Sequence, residues 1–360
     1  MGRAHTNGYR TLAYMAWPPP LRPELIALAG RDGARTREAA ERFGFESAFE
    51  DWHLLVADER VELFDNVGPN ALHAEPTIAA AENGKHVICE KPLGRDAHES
   101  YEIWQRVAAA GVTHMTAFNY RFVPAIRLAH ELIAAGELGE IRHFRARYLQ
   151  SGGLDEEVLT WRFDRAQAGS GALGDLGSHI IDLARYLVGE PAAVSALTRT
   201  FVTDRAGHVV DVDDAFQAVV EFAAGATGTL EASRLAPGRR NQLALEINGS
   251  RGSLAFDLER LNELQLAADG SRFPSFRRVL VTEPEHPFMS FWWPPGHVIG
   301  WEHTFVHELH HLLSAIAGEG SVRPDGADFE DGYRAAAVCD AILSSAASGR
   351  REPIAYEPGR

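Results

Sequence analysis

The stretch G84-K-H-V-I-C-E-K-P-L-G94 decides how the first third of the chain is read. Its apolar, partly β-branched centre, KHVICE (85–90), is short and closes on a charged pair and a proline, as a buried strand leaving a sheet does. Amphipathic helical stretches flank it, one running from PNALH to Asn83-Gly84 and the other being DAHESYEIWQRVAAAG (96–111). Further out, PELIALAG (23–30), VELFDNVG (61–68) and VTHMTAFN (112–119) read as strands, and ARTREAAERFG (34–44) as a helix closing on Gly44. Short strands alternating with longer helices imply right-handed βαβ units and a parallel sheet, a Rossmann-like domain over residues 1–120.

The pattern changes after a linking helix, VPAIRLAHELIAAG (123–136). IRHFRARYL, AVSALTRTFV, DDAFQAVVEFA, GTLEASRL, NQLALEIN, GSLAFDL and LNELQLA follow one another with DG, NGS and AGA turn signals between them. Residues 121–360 therefore read as an α+β substrate-binding and oligomerisation domain. It is built on a large, mainly antiparallel, open-faced sheet, with a helix near 172–188 and closing helices near 301–317 and 329–347.

Composition narrows the function. The formal charge of −15 argues against nucleic-acid and anionic-membrane partners, which need a cationic face. No apolar run is long enough for a membrane span, and no secretory leader is apparent. The two cysteines, Cys89 and Cys339, make no disulfide framework and fit a cytoplasmic location. Of the 35 basic side chains, all but Lys85 and Lys91 are arginine. Arginine cannot act where an amine must be a compact, tunable donor, so these two lysines point to chemistry, or are two accidents of composition.

MGRAH (1–5), VGPNALHAE (67–75), GKHVICEKPLG, AFNYRFVPA (117–125) and GALGDLGSHIIDLARYLVGE (171–190) together resemble the Gfo/Idh/MocA oxidoreductase family in order and spacing. WRFDRAQAGSGALGD, VDVDDA and GSLAFDLERLNELQ are similar to its sugar dehydrogenases of the levoglucosan dehydrogenase type. The resemblance implies hydride transfer between a hydroxyl carbon of a sugar, anhydrosugar or cyclic polyol and NAD(H) or NADP(H). It also implies a homodimer or homotetramer formed through the C-terminal sheet.

Carried over residue by residue, Lys91, Asp175 and His179 become the catalytic set, with His179 as general base and Lys91 at the reacting hydroxyl. Glu90 and Pro92 complete the E-K-P motif beside the nicotinamide ribose, and Asn70 and His73 flank that ribose, with Gly68 where threonine is usual. Tyr120, Arg121, Trp161 and Arg162 line the substrate pocket. Gly2 takes the place of the third glycine of a dinucleotide fingerprint, so the first strand and first two glycines would lie before Met1. Arg31 and Asp32 end the first strand of this chain; an acid there suits NAD and an arginine suits NADP, with NAD favoured.

Bland alternatives stand beside these roles. Asp175 could simply cap an exposed helix start, and Asn70 could be an N-cap. A dinucleotide-binding regulator without turnover would share the fold. H307-E-L-H-H311 satisfies the zincin pattern H-E-x-x-H, but its third ligand is missing and its apolar stripe suits a packed helix, so no metal is expected. FMSFWWPPGHVIGW (288–301) reads as a substrate lid or an oligomer contact.

Overall fold

In a computed structural model that describes residues 1–268 and 275–357, the chain opens on helix α1 (Gly2–Met15). Alternating elements follow: β1 (Ala27–Ala29), α2 (Gly33–Phe43), β2 (Ser47–Phe49), α3 (Trp52–Ala57), β3 (Leu63–Asn66), α4 (Ala74–Glu82), β4 (His86–Glu90), α5 (Ala97–Ala110) and β5 (His114–Ala117). Asp32 and Asp96 cap the N-termini of α2 and α5 through their side chains, while Gly44 and Gly111 end those helices in the left-handed conformation. The strand expected over 23–30 shrinks to Ala27–Ala29, although the carbonyls of Leu25 and Ile26 before it still accept from Glu46 and Ser47.

The parallel sheet is present in two pieces. β1 pairs with β2, and β3, β4 and β5 form a second set in that order. Between β1 and β3 the order of a doubly wound sheet calls for its opening strand, and no described residue supplies one.

The boundary expected at 120/121 falls in the turn Asn119–Phe122 that follows β5. Beyond it come α6 (Pro124–Ala134), β6 (Ile141–Leu149), α7 (Arg165–Ala168), α8 (Ser178–Leu187), β7 (Pro191–Arg199), and the small hairpin β8 (Asp204–Arg205) and β9 (His208–Val209). The chain continues through β10 (Ala215–Phe222), β11 (Thr227–Ser233), β12 (Gln242–Gly249), β13 (Gly252–Asp257), β14 (Glu263–Ala268) and β15 (Arg277–Leu280). It closes with α9 (His303–Ile316), α10 (Phe329–Ser348) and β16 (Glu352–Pro353). The Asp269-Gly270 turn signal lies outside the described residues.

Nine strands form one sheet in the order β15-β14-β13-β12-β6-β11-β10-β7-β16, antiparallel except for the β6–β11 pair. Burial alternates along β10 and β11, as it must when one face is covered and the other open. The covered face packs Phe144, Phe216 and Leu245 against Ala129 of α6, Ile180 and Ile181 of α8, and Val338 and Ile342 of α10.

The last two helices also reach back to the N-terminal layer. Leu309 and Leu312 of α9 join Leu12, Ile88 and Met115 in one apolar cluster, while Phe329 and Tyr333 of α10 join Val87, Ile103 and Trp104 in another. Both ends of the chain therefore pack on β4 and β5. No helix among the described residues is long and apolar enough to cross a membrane.

Candidate active site

β4 delivers Glu90 and Lys91 at its carboxyl end, where an open α/β sheet holds its ligand. The Lys91 ammonium donates to the Asp175 carbonyl at 2.7 Å and to Asp175 Oδ1 at 3.1 Å. Its partner lysine does something else. Lys85 is buried and donates to the carbonyls of Asp58 (2.9 Å) and Val61 (2.7 Å), so it closes the end of α3 and takes no part in the site.

Asp175 stands on a π-helical turn, Leu173–Gly177, that leads into α8. A regular helix through 172–188 was expected, and the wider turn is its main departure; such turns are frequent at functional sites. Asp213, two residues before β10, builds it by accepting the backbone N–H of Gly171 (2.7 Å) and of Leu173 (2.8 Å). Glycines allow the close approach: a Cβ on Gly171 would lie 1.7 Å from the Asp213 carbonyl oxygen, and one on Gly177 2.6 Å from the Phe216 ring. Gly171→Ala is expected to destabilise the protein by about 1–3 kcal/mol through forced backbone movement, read by urea unfolding.

Three cations converge on Asp175. Besides Lys91, Arg234 reaches Oδ2 at 3.3 Å and Arg162 at 3.7 Å. Burial opposes its charge, but these cations outweigh burial and hold the carboxyl well below the usual range. Asp175 is thus no exposed helix cap. Arg162 lies over the Trp161 ring, 4.4 Å from its centroid, so the structure brings both residues to the rim of the site.

His179 is 7% exposed, and its Nδ1 has no hydrogen-bond partner. Burial, and then the Lys91 charge, push its pKa well below 6.5, with Asp175 offsetting part of the shift. Aromatic rings wall it in: Tyr120 at 4.6 Å, Tyr148 at 5.8 Å and Phe118 at 6.0 Å between centroids. Tyr120 and Tyr148 share a 2.8 Å hydrogen bond, and the Tyr148 hydroxyl donates to Asn241 Oδ1 at 2.7 Å. Gln150 donates to the same oxygen at 2.6 Å. From the aromatic loop, Trp301 Nε1 donates to the Tyr120 hydroxyl at 3.4 Å, which puts part of that loop at the pocket edge.

Two expected site residues need correction. Arg121 is 2% exposed, and its guanidinium is committed to Asp182 (2.5 and 2.9 Å) and Asp331 (3.4 Å). It ties α8 to α10 and lines no pocket. His73 is fully buried, with one ring nitrogen 2.8 Å from the Pro92 carbonyl and the other 3.1 Å from that of Gly68. With a carbonyl facing each nitrogen, His73 braces the E-K-P loop from behind; Pro92 takes part through that carbonyl.

Asn70 is no N-cap either. It opens a 3₁₀ turn, Asn70–Leu72, and its amide donates to the Ala168 carbonyl at 2.9 Å. Asp32 caps α2 by accepting from Arg35 N at 3.1 Å; it and Arg31 sit just past the end of β1. Gly2 begins α1, whose N-terminus carries no side-chain cap.

The zinc alternative loses its ligands to other bonds. His307 Nδ1 donates to the Phe122 carbonyl (2.9 Å) while its Nε2 accepts from Trp292 Nε1 (2.7 Å). Burial brings its pKa down to about 3. His311 Nε2 faces the Val322 carbonyl at 2.8 Å, and among the described residues no group of three potential ligands is placed for a metal.

This constellation can be set against known proteins. Residues 1–118 match the model of an oxidoreductase family with an NAD-binding Rossmann fold, and residues 126–255 match the GFO/IDH/MocA C-terminal domain. The chain belongs to the GFO/IDH/MocA oxidoreductase family. It is 43% identical to levoglucosan dehydrogenase of Pseudarthrobacter phenanthrenivorans over 369 residues, covering 96% of this chain and 94% of that one. It is 32% identical to scyllo-inositol 2-dehydrogenase (NAD(+)) of Bacillus subtilis over 252 residues, covering 69% and 71%. A solved levoglucosan dehydrogenase in complex with NADH and levoglucosan superposes with a TM-score of 0.95, covering 99% of this chain and 96% of that one at 43% identity.

Lys91, Asp175 and the His179 pocket were singled out from sequence, and the structure brings them together. Arg234, Asp213, Tyr148 and Asn241 were not. Tyr148 lies in β6, and the others flank the ends of β10, β11 and β12; for Asp213 alone a signal existed, the acid pair inside VDVDDA.

Proposed function

We propose that the chain oxidises a ring hydroxyl of an anhydrosugar, sugar or cyclic polyol, with Lys91, Asp175 and His179 at the reacting centre. The observation that carries this reading is the convergence of a lysine, a cation-bound carboxylate and a histidine of lowered pKa beside a cluster of aromatic rings at the end of β4. A ring with apolar faces and hydroxyl edges suits such walls, with Asn241, Gln150 and the tyrosine hydroxyls available at its rim.

The residues fit a nicotinamide dinucleotide. The uncapped N-terminus of α1 at Gly2 offers free backbone N–H groups for a pyrophosphate. Asp32 and Arg31 would read the adenosine ribose, and Glu90 and Asn70 would hold the nicotinamide ribose. Bound NAD supplies the hydride acceptor.

His179 takes the hydroxyl proton; with its pKa depressed it is neutral and ready across the neutral range. The Lys91 ammonium donates to the same oxygen and stabilises the negative charge that develops there. Asp175 accepts from Lys91 and fixes its direction, while Arg162 and Arg234 keep that carboxylate ionised.

Because the base must be unprotonated and its pKa lies well below 6.5, the acid limb of kcat for alcohol oxidation is expected below pH 6.5. A limb centred at or above that value would remove His179 as the base. On Asp32, NAD is preferred to NADP: the ratio of kcat/KM for the two cofactors is expected to favour NAD, and a ratio favouring NADP would reassign the site to Arg31.

The open face of the large sheet exposes Leu197 (61%) and Val219 (54%) among Arg145, Arg147, Glu231 and Glu246. A second copy of this chain would cover it with both signs of charge matched. Light scattering should give a dimer or tetramer, and a monomer at high concentration would rule that out.

A further inference from the structure

One histidine has a place in the site that neither the sequence reading nor the reaction above uses. His5 lies one turn into α1, 1% exposed, with its ring held between two acids. Nδ1 is 2.9 Å from Asp65 Oδ2 and Nε2 is 3.0 Å from Glu90 Oε1. Asp65 belongs to β3 and Glu90 ends β4, so one ring ties α1 to two adjacent strands at their carboxyl ends.

We propose that His5 is a positioning residue of the cofactor site, which fixes the Glu90 carboxylate for the nicotinamide ribose. The proposal rests on the reading of Glu90 as a ribose ligand. Glu90 is 5% exposed, and a carboxylate buried to that degree needs partners for its charge. His5 bonds Oε1, while the Lys91 backbone N–H donates to Oε2 at 3.2 Å. Held at both oxygens, Glu90 cannot turn to the Lys91 ammonium, which stays with Asp175. Each oxygen keeps a further lone pair for a hydroxyl donor.

The surroundings favour the charged imidazole. Asp65 from β3 and Glu90 from β4 flank it, Tyr9 lies on its own helix, and Glu308 comes from α9, whose Phe305 ring packs at 5.3 Å. Glu308 is fully buried with no partner for either oxygen, so burial raises its pKa well above the usual range and favours its neutral form. Burial also acts against charge on His5. Asp65 and Glu90 more than offset it, and the pKa stands well above 6.5. A clamp of this kind is in place through neutral pH and lost as pH rises through that raised pKa.

The test is a fluorescence titration with NADH from pH 6 to 10 on the wild-type chain, His5→Gln and Glu90→Gln, with the melting temperature of each sample recorded. The wild type is expected to bind NADH with an alkaline loss of affinity. His5→Gln, whose uncharged amide has its donors on a single nitrogen and so cannot span both acids, is expected to bind about 10-fold more weakly at neutral pH, the size of one lost hydrogen bond to a charged group, and to lack that alkaline loss. A His5→Gln protein that melts earlier but binds NADH like the wild type with the same pH profile would make His5 merely structural and overturn the proposal. Unchanged affinity in Glu90→Gln would overturn the reading of Glu90, and the proposal with it.

Discussion

Replacing His179 with alanine should lower turnover by about 100-fold or more while NADH affinity stays near that of the wild type, as the proposed role of the ring as general base requires. The split follows from its position. His179 stands on α8 with its ring among those of Tyr120, Tyr148 and Phe118, none of them assigned to the dinucleotide. Its Nδ1 has no hydrogen-bond partner, so removing the ring strands no other buried polar group. The fold should tolerate the loss, and circular dichroism with a melting curve would confirm that. Steady-state kinetics on an accepted sugar would measure the rest; a variant with wild-type turnover would take His179 out of the mechanism.

Lys91→Met should be as damaging, lowering turnover by about 100- to 1,000-fold, the range seen when one donor to a developing oxyanion is removed. Methionine keeps the length and apolar stem of lysine but loses the ammonium that bonds Asp175. Asp175 would keep Arg162 and Arg234, so its charge would survive and the loss would fall on the reacting oxygen. Lys91→Arg should rescue little, because a planar guanidinium places its donors differently from a compact ammonium. Turnover in Lys91→Met within a few-fold of the wild type would show that the ammonium does not meet the transition state.

How much of this could be read beforehand depends on how local each signal is. The E-K-P end of β4 was legible because strand, acid, lysine and proline are contiguous. The Asp175–His179 spacing was legible too, but the π-helical turn between them was not read. Its signal was there, glycines at 171, 174 and 177, and the missing part was Asp213, which shapes the turn from forty residues away. Arg121 and His73 were misplaced because a motif gives sequence position and not the direction of a side chain. Burial among Asp182 and Asp331, or between two carbonyls, belongs to tertiary packing. Likewise, Arg234 and Asn241 reach the site only through the register of β11 and β12 beside β6. The strand Ser47–Phe49, which pairs with β1 in a separate piece of the parallel sheet, was not read, being only three residues long, nor was the return of α9 and α10 onto that layer, since an amphipathic helix does not name the surface that it covers.

The central claim is that this pocket performs chemistry on a sugar hydroxyl. Its most direct test is the rate of NAD reduction by the wild-type chain across a panel of anhydrosugars, sugars and cyclic polyols, with His179→Ala beside it. Reduction of NAD is expected with at least one member of the panel, with near-complete loss in the variant. Saturable NADH binding with no reduction above the variant's background for any member would contradict it, leaving a protein that binds the dinucleotide without turning it over.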